Sequence, residues 1–532
     1  LCGLLAAGVV GVSGSALAGD TITTSKHLDG DVFIKTDSNW AAVVQSTGSD
    51  TIKITGDSFK LGLETSASCA DAIDCYDTAG KIILGDTNTN DISISCKATD
   101  QAFGIWALKK SYVEVNAKQL SIEAYGNDAR AIQVQNNSVP NDKKTDFATV
   151  ILNANTVIKS DGIGIAAMSE GRFTANGDIE ITAPKVIVTR GDSLININTD
   201  GKHTTKLFGD INFSYDEATS GTKVDADLNV NLTGADSLWN GNAVVEWGLK
   251  NGSTSSYEDL KNDGKLKVET FNLNIADDAQ WNPTTIKSQN NETNGVENIA
   301  INNLALNNGI INLDSSNLAG DDAVNIENLQ GNGGTINTDS VSNKLSIENK
   351  AADTSLTVNG TKEVTDAIAS GNADLQKLAD VVKSNGKSAA DTVTSDANDI
   401  IGGYSAEVVD GKVAVDSVKT VENPTNRAIS DMANISLMTW RQENNDMNKR
   451  LGELRDSKGE QGAWARMARG ESKYGSQNVK NQYNYYQVGY DEKLSTNPNW
   501  TVGVALTRTE GNSTFATGTG ENKHTGFALY GS

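Results

Sequence analysis

The last seventy or so residues of this 532-residue chain alternate between apolar side chains and small or polar ones. Successive side chains of a strand point to opposite faces, so residues 500–507 (WTVGVALT) form a strand with one apolar face. Residues 483–491 and 524–530 repeat the pattern, and 463–469 follows it less cleanly. Apolar-out, polar-in strands with aromatic ends are typical of outer-membrane β-barrels. The predicted lipid-facing side chains are Tyr486, Val488, Tyr490, Val502, Val504, Leu506, Phe527 and Leu529.

About four strands cannot close a barrel, and open strand edges are not stable in lipid. We therefore expect residues 457–532 to be the truncated start of a barrel. Its expected partners are outer-membrane lipid and the barrel-assembly machinery.

Residues 1–18 form an apolar run that ends in Ala-Leu-Ala. This pattern is typical of a partial secretory signal peptide that lacks its basic start, and the alternative is a buried core helix. Cleavage is predicted between Ala18 and Gly19. A signal for export together with a β-barrel predicts that the protein is located in the outer membrane of a double-membraned bacterium.

The net charge of −23 argues against nucleic acid as a partner. The acidity has two interpretations, solvation of an extended surface or a calcium site, and no EF-hand loop or calcium-binding repeat supports the second. No metal site or cofactor is predicted, because the histidines are few and distant from the cysteines. In an oxidising compartment, a Cys69–Cys75 disulfide closing a small loop is plausible, with Cys96 left over.

Short strands separated by Asn, Asp and Gly fill the region from residue 30 to residue 350. Weak repeats relate 104–124 to 164–183 and 229–240 to 272–282. Repeats of such length made of short strands predict a right-handed parallel β-helix over 19–361, in which each coil buries its apolar face on the next. An antiparallel sandwich is the competitor, but Asn-Gly and Asp-Gly hairpins do not recur at the required spacing. The predicted fold class is all-β.

Two segments switch to helical spacing. Residues 362–423 are predicted to be an amphipathic insert followed by a linker. Residues 424–456 are predicted to form an α-helix with a narrow apolar stripe and many charges. A helix this polar needs solvent or a polar cavity around it, and a barrel lumen supplies one.

Four stretches near the C-terminal end resemble the linker helix and first barrel strands of type Va autotransporters. They are 434–467 (NISLMTWRQENNDMNKRLGELRDSKGEQGAWARM), 485–495, 500–515 and 524–532. The resemblance covers roughly the last 110 residues; the passenger shares only general β-helix character. It implies a twelve-stranded barrel with the helix in its pore. It also implies a passenger that is carried to the cell surface and folds there from its C-terminal end.

The NKRLGELRD stretch is similar to the serine-protease autotransporters of enteric bacteria. In that group an Asn-Asn pair in the helix cuts the chain and releases the passenger. Here the pair is Asn444-Asn445, and the family's scissile bond falls one residue later, at Asn445-Asp446. Self-cleavage at Asn445 and a plain polar lumen helix therefore both stay open.

Motif matches within the passenger are weak. Asp192-Ser193 lacks the Gly that a chymotrypsin-like site requires after the Ser, and Gly191-Asp192-Ser193-Leu194 lacks the strand–Ser–helix context of an esterase. Arg190-Gly191-Asp192 also matches the integrin-binding tripeptide. The passenger is expected to be a surface-displayed adhesin of unknown ligand rather than an enzyme. The alternatives are an effector released by Asn self-cleavage and a protease or esterase passenger.

Overall fold

The computed structural model describes residues 17–18, 20–76, 79–136, 147–217, 226–268, 270–320, 323–397, 402–456, 462–474, 479–515 and 518–532. The chain divides into two compact units. The first runs to Ser395 and adds Ala406–Val418, and the second comprises Asp396–Ser405 and Lys419–Ser532.

The first unit is a parallel β-helix, as the sequence predicts. Its first strands are Leu17–Ala18 (β1), Lys26–His27 (β2), Val32–Thr36 (β3), Ala41–Ser46 (β4), Thr51–Thr55 (β5), Ser58–Thr65 (β6), Cys69–Cys75 (β7), Lys81–Gly85 (β8), Asp91–Lys97 (β9), Gln101–Leu108 (β10), Tyr112–Tyr125 (β11), Arg130–Gln135 (β12), Thr149–Ser160 (β13), Ile163–Met168 (β14), Arg172–Ala175 (β15), Ile179–Arg190 (β16), Ser193–Ile197 (β17) and Thr205–Asp216 (β18).

The remaining elements of the β-helix include short helices. In order they are Ala226–Thr233 (β19), Leu238–Asn240 (β20), Ala243–Gly248 (β21), Tyr257–Asn262 (α1), Thr270–Ala276 (β22), Gln280–Asn282 (β23), Gln289–Asn290 (β24), Asn294–Asn298 (β25), Ile301–Leu313 (β26), Val324–Thr338 (β27), Leu345–Lys350 (β28), Ser355–Gly360 (β29), Lys362–Ala369 (α2), Leu375–Ala379 (α3), Val382–Ser384 (β30), Lys387–Ser388 (β31), Thr392–Ser395 (β32), Gly403–Val409 (β33) and Lys412–Val413 (β34), followed by a 3-10 turn at Val415–Ser417.

Three sheets of stacked strands form the sides of the coil. Sheet 1 contains β4, β7, β10, β12, β14, the second halves of β16 and β18, and β21. Sheet 2 runs from β5 and β8 through β15, β17, β19 and β22 to β28. Sheet 3 runs from β3, β6 and β9 through β20 and β23 to β29 and β32.

Identical residues stack in the interior. In sheet 1, a column of fully buried isoleucines passes from Ile73 through Ile105, Ile132 and Ile165 to Ile187. The predicted repeat of 229–240 in 272–282 corresponds to neighbouring coils, because Asn229 pairs with Asn272 and Trp239 with Trp281. Stacking buries one continuous apolar core, which no single coil could do alone.

The parallel ladder extends beyond residue 361, where the sequence was expected to leave the β-helix. β30 pairs with β28 and β32 with β29, while α2 and α3 form the excursion between them. Val364 of α2 and Leu378 of α3 are buried against the last coils. The apolar stripe thus lies on two short helices that cover the core, and the next strand resumes the stack.

The predicted Cys69–Cys75 disulfide is wrong. Cys69, Cys75 and Cys96 are all free thiols. Cys69 and Cys75 are the first and last residues of the extended strand β7. At about 3.3 Å per residue their Cα atoms are roughly 20 Å apart, whereas a disulfide needs less than about 7 Å.

The signal-peptide prediction falls largely outside the described residues, which exclude 1–16 and Gly19. Leu17 and Ala18 form β1, which pairs with Val32 and Phe33. Cleavage between Ala18 and Gly19 stays a prediction.

The second unit contains a long helix and an antiparallel sheet. The first half of β33, residues 403–405, belongs to this unit and pairs with Lys419–Val421 (β35), and the helix α4 follows over Pro424–Asp456. The four-stranded sheet consists of Gly462–Tyr474 (β36), Val479–Leu494 (β37), Asn497–Phe515 (β38) and Gly518–Gly531 (β39). Its strands follow one another in chain order as an antiparallel meander, the arrangement of an outer-membrane barrel wall.

Candidate functional site

The polar face of the four-stranded sheet packs against α4. Glu443 is buried there, and its Oε1 accepts a hydrogen bond from the Thr509 hydroxyl at 2.7 Å. Its Oε2 lies 2.7 Å from Nδ1 of His524 on β39. One turn earlier, the Thr439 hydroxyl accepts from the Asn522 amide at 3.2 Å. A helix of low apolar content is held by polar contacts in this way, as its sequence predicts.

A second set of contacts fixes the end of α4. Arg450 pairs with Asp491 of β37, whose side chain is fully buried. The Tyr530 hydroxyl donates to the same carboxylate, and Nε1 of Trp464 donates to the Tyr530 oxygen at 2.9 Å. The Arg450 guanidinium lies over the Trp464 ring, 4.9 Å from its centroid.

Trp464 lies on this polar side, opposite Gly489 in the register. A Cβ at residue 489 would come within 2.5 Å of the Trp464 ring, so Gly489 makes room for the indole. The alternation along β36 turns the Trp464 side chain inward, and the absent side chain of Gly489 leaves the space that the indole fills.

The side chains predicted to face lipid lie on the opposite face of the sheet. All of them are exposed, from 38% for Val502 to 73% for Leu529. In the register Val504 pairs with both Tyr490 and Leu529, and Leu506 with both Val488 and Phe527. They therefore form one continuous apolar patch, which lipid would cover in an outer membrane; the lipid contact itself stays a prediction.

Asn444 and Asn445, the candidate self-cleavage residues, lie in the middle of α4 with exposed side chains. Asp446, on the other side of the candidate bond, is buried. Its carboxylate accepts from Gln442 and Lys449, each at 3.0 Å, and its carbonyl oxygen accepts from Arg466 at 2.7 Å. The structure thus holds the residue after the bond firmly and leaves both asparagine side chains exposed.

None of the helices within the described residues is both long and apolar enough to span a membrane.

Asparagine side chains form two hydrogen-bonded columns along the C-terminal coils of the β-helix. In each column the amide of one coil donates to the amide oxygen of the preceding coil. The sheet-2 asparagine ladder, with distances of 2.8–3.2 Å, contains Asn196, Asn229, Asn272, Asn303, Asn328 and Asn349. The sheet-3 asparagine ladder, with distances of 2.6–3.2 Å, contains Asn240, Asn282, Asn312, Asn337 and Asn359.

Ser193, the residue of the hydrolase-like motif, is 1% exposed and shares a short hydrogen bond with the Thr189 hydroxyl. His203 lies in a turn, where its ring is 3.6 Å from Asp178 and 3.9 Å from Asp200. Ser193 is therefore an interior residue of the coil, where a substrate cannot reach its hydroxyl.

The Arg190-Gly191-Asp192 tripeptide forms a tight turn between β16 and β17. Gly191 and Asp192 both have positive φ, 53° and 37°. The Arg190 side chain is 14% exposed and lies 3.7 Å from Asp216, and its burial lowers the guanidinium pKa. An integrin would have to draw this arginine out of its contact, so the tripeptide stays only a sequence match.

Comparison with known proteins finds relatives of the C-terminal end of the chain. The family described as "Autotransporter beta-domain" matches residues 463–532. Serine protease EatA of Escherichia coli O78:H11 is 36% identical over 91 residues, which are 17% of this chain and 7% of that protein. Serine protease SepA autotransporter of Shigella flexneri is 31% identical over 114 residues, 21% of this chain and 8% of that protein. Serine protease pet autotransporter of Escherichia coli O44:H18 is 38% identical over 91 residues, again 17% and 7%.

The chain spans less than a tenth of the length of each of these relatives, and the matches lie in the translocator region. No solved structure matches significantly. The name serine protease belongs to those relatives. The meander, the helix on its polar face and the family match agree that residues 463–532 are an autotransporter β-domain, which in this chain follows a β-rich unit.

Proposed function

We propose that the β-helix is a passenger that stays tethered to the outer membrane and serves in adhesion or another surface interaction. The observation that carries the proposal is the continuous coil, which presents long rows of outward polar side chains between neighbouring strands. The asparagine ladders are the clearest of these rows. A solenoid of this kind offers an extended surface for a partner rather than a closed pocket.

The ladders also support surface folding of the passenger. Each ladder bond links one coil to the one before, so every coil that folds gains a similar set of contacts. Net stabilisation by a hydrogen bond is about 1 kcal/mol. Folding outside the cell would then draw the chain outwards without a nucleotide energy source.

The test uses the full-length gene with an epitope tag inserted after Gly252, which lies in an exposed turn. The gene is expressed in a double-membraned host, and whole cells, protease-treated cells and culture medium are blotted. A protease-sensitive, full-length band on intact cells, with increased binding of those cells to host-cell layers, is expected. A deletion of residues 20–395 is the matched control for binding. Intact cells that display the passenger yet bind no better than this deletion would contradict the adhesion proposal.

Release by self-cleavage is the second candidate, and it rests on the exposed Asn445 in α4. The Asn445 amide nitrogen would attack its own carbonyl carbon, forming a succinimide and freeing the Asp446 amine. A medium fragment ending at Asn445, present with Asn444→Ala but absent with Asn445→Ala, would establish release. Retention of the passenger in both variants and in the unaltered chain would establish tethering.

A further inference from the structure

Exposed aromatic side chains of the passenger concentrate in its N-terminal coils. Within the described part of the first unit, the aromatic residues that are at least 37% exposed are Phe33, Trp40, Tyr76 and Tyr125. The richest group lies on sheet 1, where Trp40 and Phe103 both stack on Trp106. Their ring centroids are 5.3 and 4.8 Å from that of Trp106.

Two carboxylates lie in the coil between Trp40 and Trp106. In the register Asp71 pairs with Phe103 and Asp74 with Trp106. Phe103 pairs in turn with Arg130, which identifies this row as the outward one. Trp40 belongs to the coil before Asp71, since its backbone N–H donates to the Cys69 carbonyl. Its indole therefore meets Trp106 across the coil that carries both acids.

Three polar atoms of this cluster lack hydrogen-bond partners. Asp71 is 1% exposed and Asp74 5%, and Oδ1 of each has no hydrogen bond. The other Asp74 oxygen accepts from the Gln45 amide at 2.8 Å. Nε1 of Trp106 is a buried donor that is also unsatisfied. Buried polar groups are nearly always paired, because each unpaired one costs about 1–3 kcal/mol, so this cluster is incomplete by itself.

The backbone adds a second sign of a site. Trp40 has φ of 57°, a conformation that is strained for a bulky side chain. Such strain concentrates at sites that bind ligands. Trp40 is 47% exposed, so a ligand would meet its indole first and would have to displace it to reach the buried acidic side chains.

The missing partners define the chemistry of the ligand. Two acceptors and one donor are unsatisfied, and a hydroxyl group can both donate and accept. An ammonium group only donates, and would leave Nε1 of Trp106 unpaired. The flat apolar faces of the indoles suit the C–H faces of a sugar ring, and the two acidic side chains offer no positive charge to an anionic sugar.

We propose that Asp71, Asp74 and Trp106, covered by Trp40, form a binding site for a neutral oligosaccharide. The site names a ligand class for the surface interaction proposed above and rests on that function. It lies in the first coils of the β-helix.

The test displays the full chain on cells and titrates fluorescent cellohexaose, maltoheptaose and N-acetylglucosamine hexamer. A heparin hexasaccharide and a primary-amine (aminohexyl) conjugate serve as anionic and ammonium probes. Trp40→Ala and Asp74→Asn are expected to weaken binding of a neutral oligosaccharide at least tenfold. Trp106→Phe, which keeps a ring but removes the N–H, is expected to weaken it less. Tyr125→Ala removes an exposed aromatic outside the cluster and should bind like the unaltered chain.

Trypsin resistance of each variant checks that the coil is folded. Equal binding by all variants, binding of the aminohexyl conjugate alone, or no binding of any neutral oligosaccharide by the displayed chain would overturn the site. If instead the cells fail to display the chain or to adhere, the proposed function fails. The same titration on the detergent-purified full chain then still decides the oligosaccharide site.

Discussion

Arg450 of α4 pairs with Asp491 of β37, whose side chain is completely buried between the helix and the sheet. A buried carboxylate without its cation is costly, typically about 3–5 kcal/mol. This one pair therefore couples the helix to β37, the second strand of the four-stranded sheet.

Arg450→Met should destabilise the second unit by about 3–5 kcal/mol, because it leaves the Asp491 charge buried and unpaired. The measurement is the temperature at which the protein in detergent changes from its folded to its unfolded mobility on a gel. Arg441→Met, at an exposed position of the same helix, is the control and should change little. Equal effects of the two substitutions would show that the pair contributes no more than an exposed charge.

Val504→Arg should impair membrane insertion of the full-length protein, because Val504 is central in the exposed apolar patch. An arginine on the lipid face costs roughly 2–4 kcal/mol at the bilayer midplane. Surface display is measured by antibody binding to intact cells. Val504→Thr on the same face should be displayed nearly normally. Full display of Val504→Arg would mean that this face does not meet lipid.

Stability of the N-terminal coils should fall as pH rises. Burial, reinforced by the neighbouring Asp74 carboxylate, raises the pKa of Asp71 to about 8, against about 3.9 in an unfolded chain. The folded state thus holds a proton that the unfolded state has released, and the stabilising effect of protonation declines from about pH 4 to about pH 8. Burial also raises the pKa of Asp74, which acts in the same direction.

One such proton changes the equilibrium constant for folding by up to about tenfold for each pH unit. Asp71→Asn should flatten the fall and raise the melting temperature most at pH 8, as followed by circular dichroism of the full chain in detergent. The nearby Cys96 thiol has a pKa raised to about 12 and stays neutral throughout this range. Asp57→Asn, at an exposed turn, should leave the slope unchanged; an identical slope with Asp71→Asn would refute the assignment.

Asn272→Ala should loosen the C-terminal coils, because Asn272 both donates to Asn229 and accepts from Asn303. Losing two bonds of about 1 kcal/mol each predicts about 2 kcal/mol of local destabilisation. Hydrogen exchange of the backbone amides in β22 and β26 measures it. Asn349→Ala removes a single bond at the end of the same ladder and should have about half the effect in β28. No difference in exchange from the unaltered chain in either variant would show that water replaces the ladder without loss.

The sequence predicts the fold where a periodic pattern has one physical meaning. Val502, Val504 and Leu506 alternate with small residues, and the strand has its apolar face where the pattern requires. The β-helix is predicted from weaker signals, and the alignment of 229–240 with 272–282 gives the register of two neighbouring coils. That alignment already puts Asn229 beside Asn272, so one link of the sheet-2 asparagine ladder was accessible from the sequence.

Other features depend on the path of the coil. Cys69 and Cys75 are close in sequence, and nothing in the residues between them excludes a loop, yet they end one extended strand. Asp71 and Asp74 resemble solvent-exposed turn residues in the sequence. They are buried because Trp40 and Trp106 come from the preceding and following coils. Only the three-dimensional stacking of coils brings such groups together.

The repeating side-chain bonds of the ladders have a consequence for variation in length. Since one coil joins the next through the same amide contact, a coil gained or lost between Asn229 and Asn328 can leave an asparagine beside an asparagine at the new junction. At the asparagine ladders, the length of the β-helix is thus adjustable in whole coils by duplication or deletion.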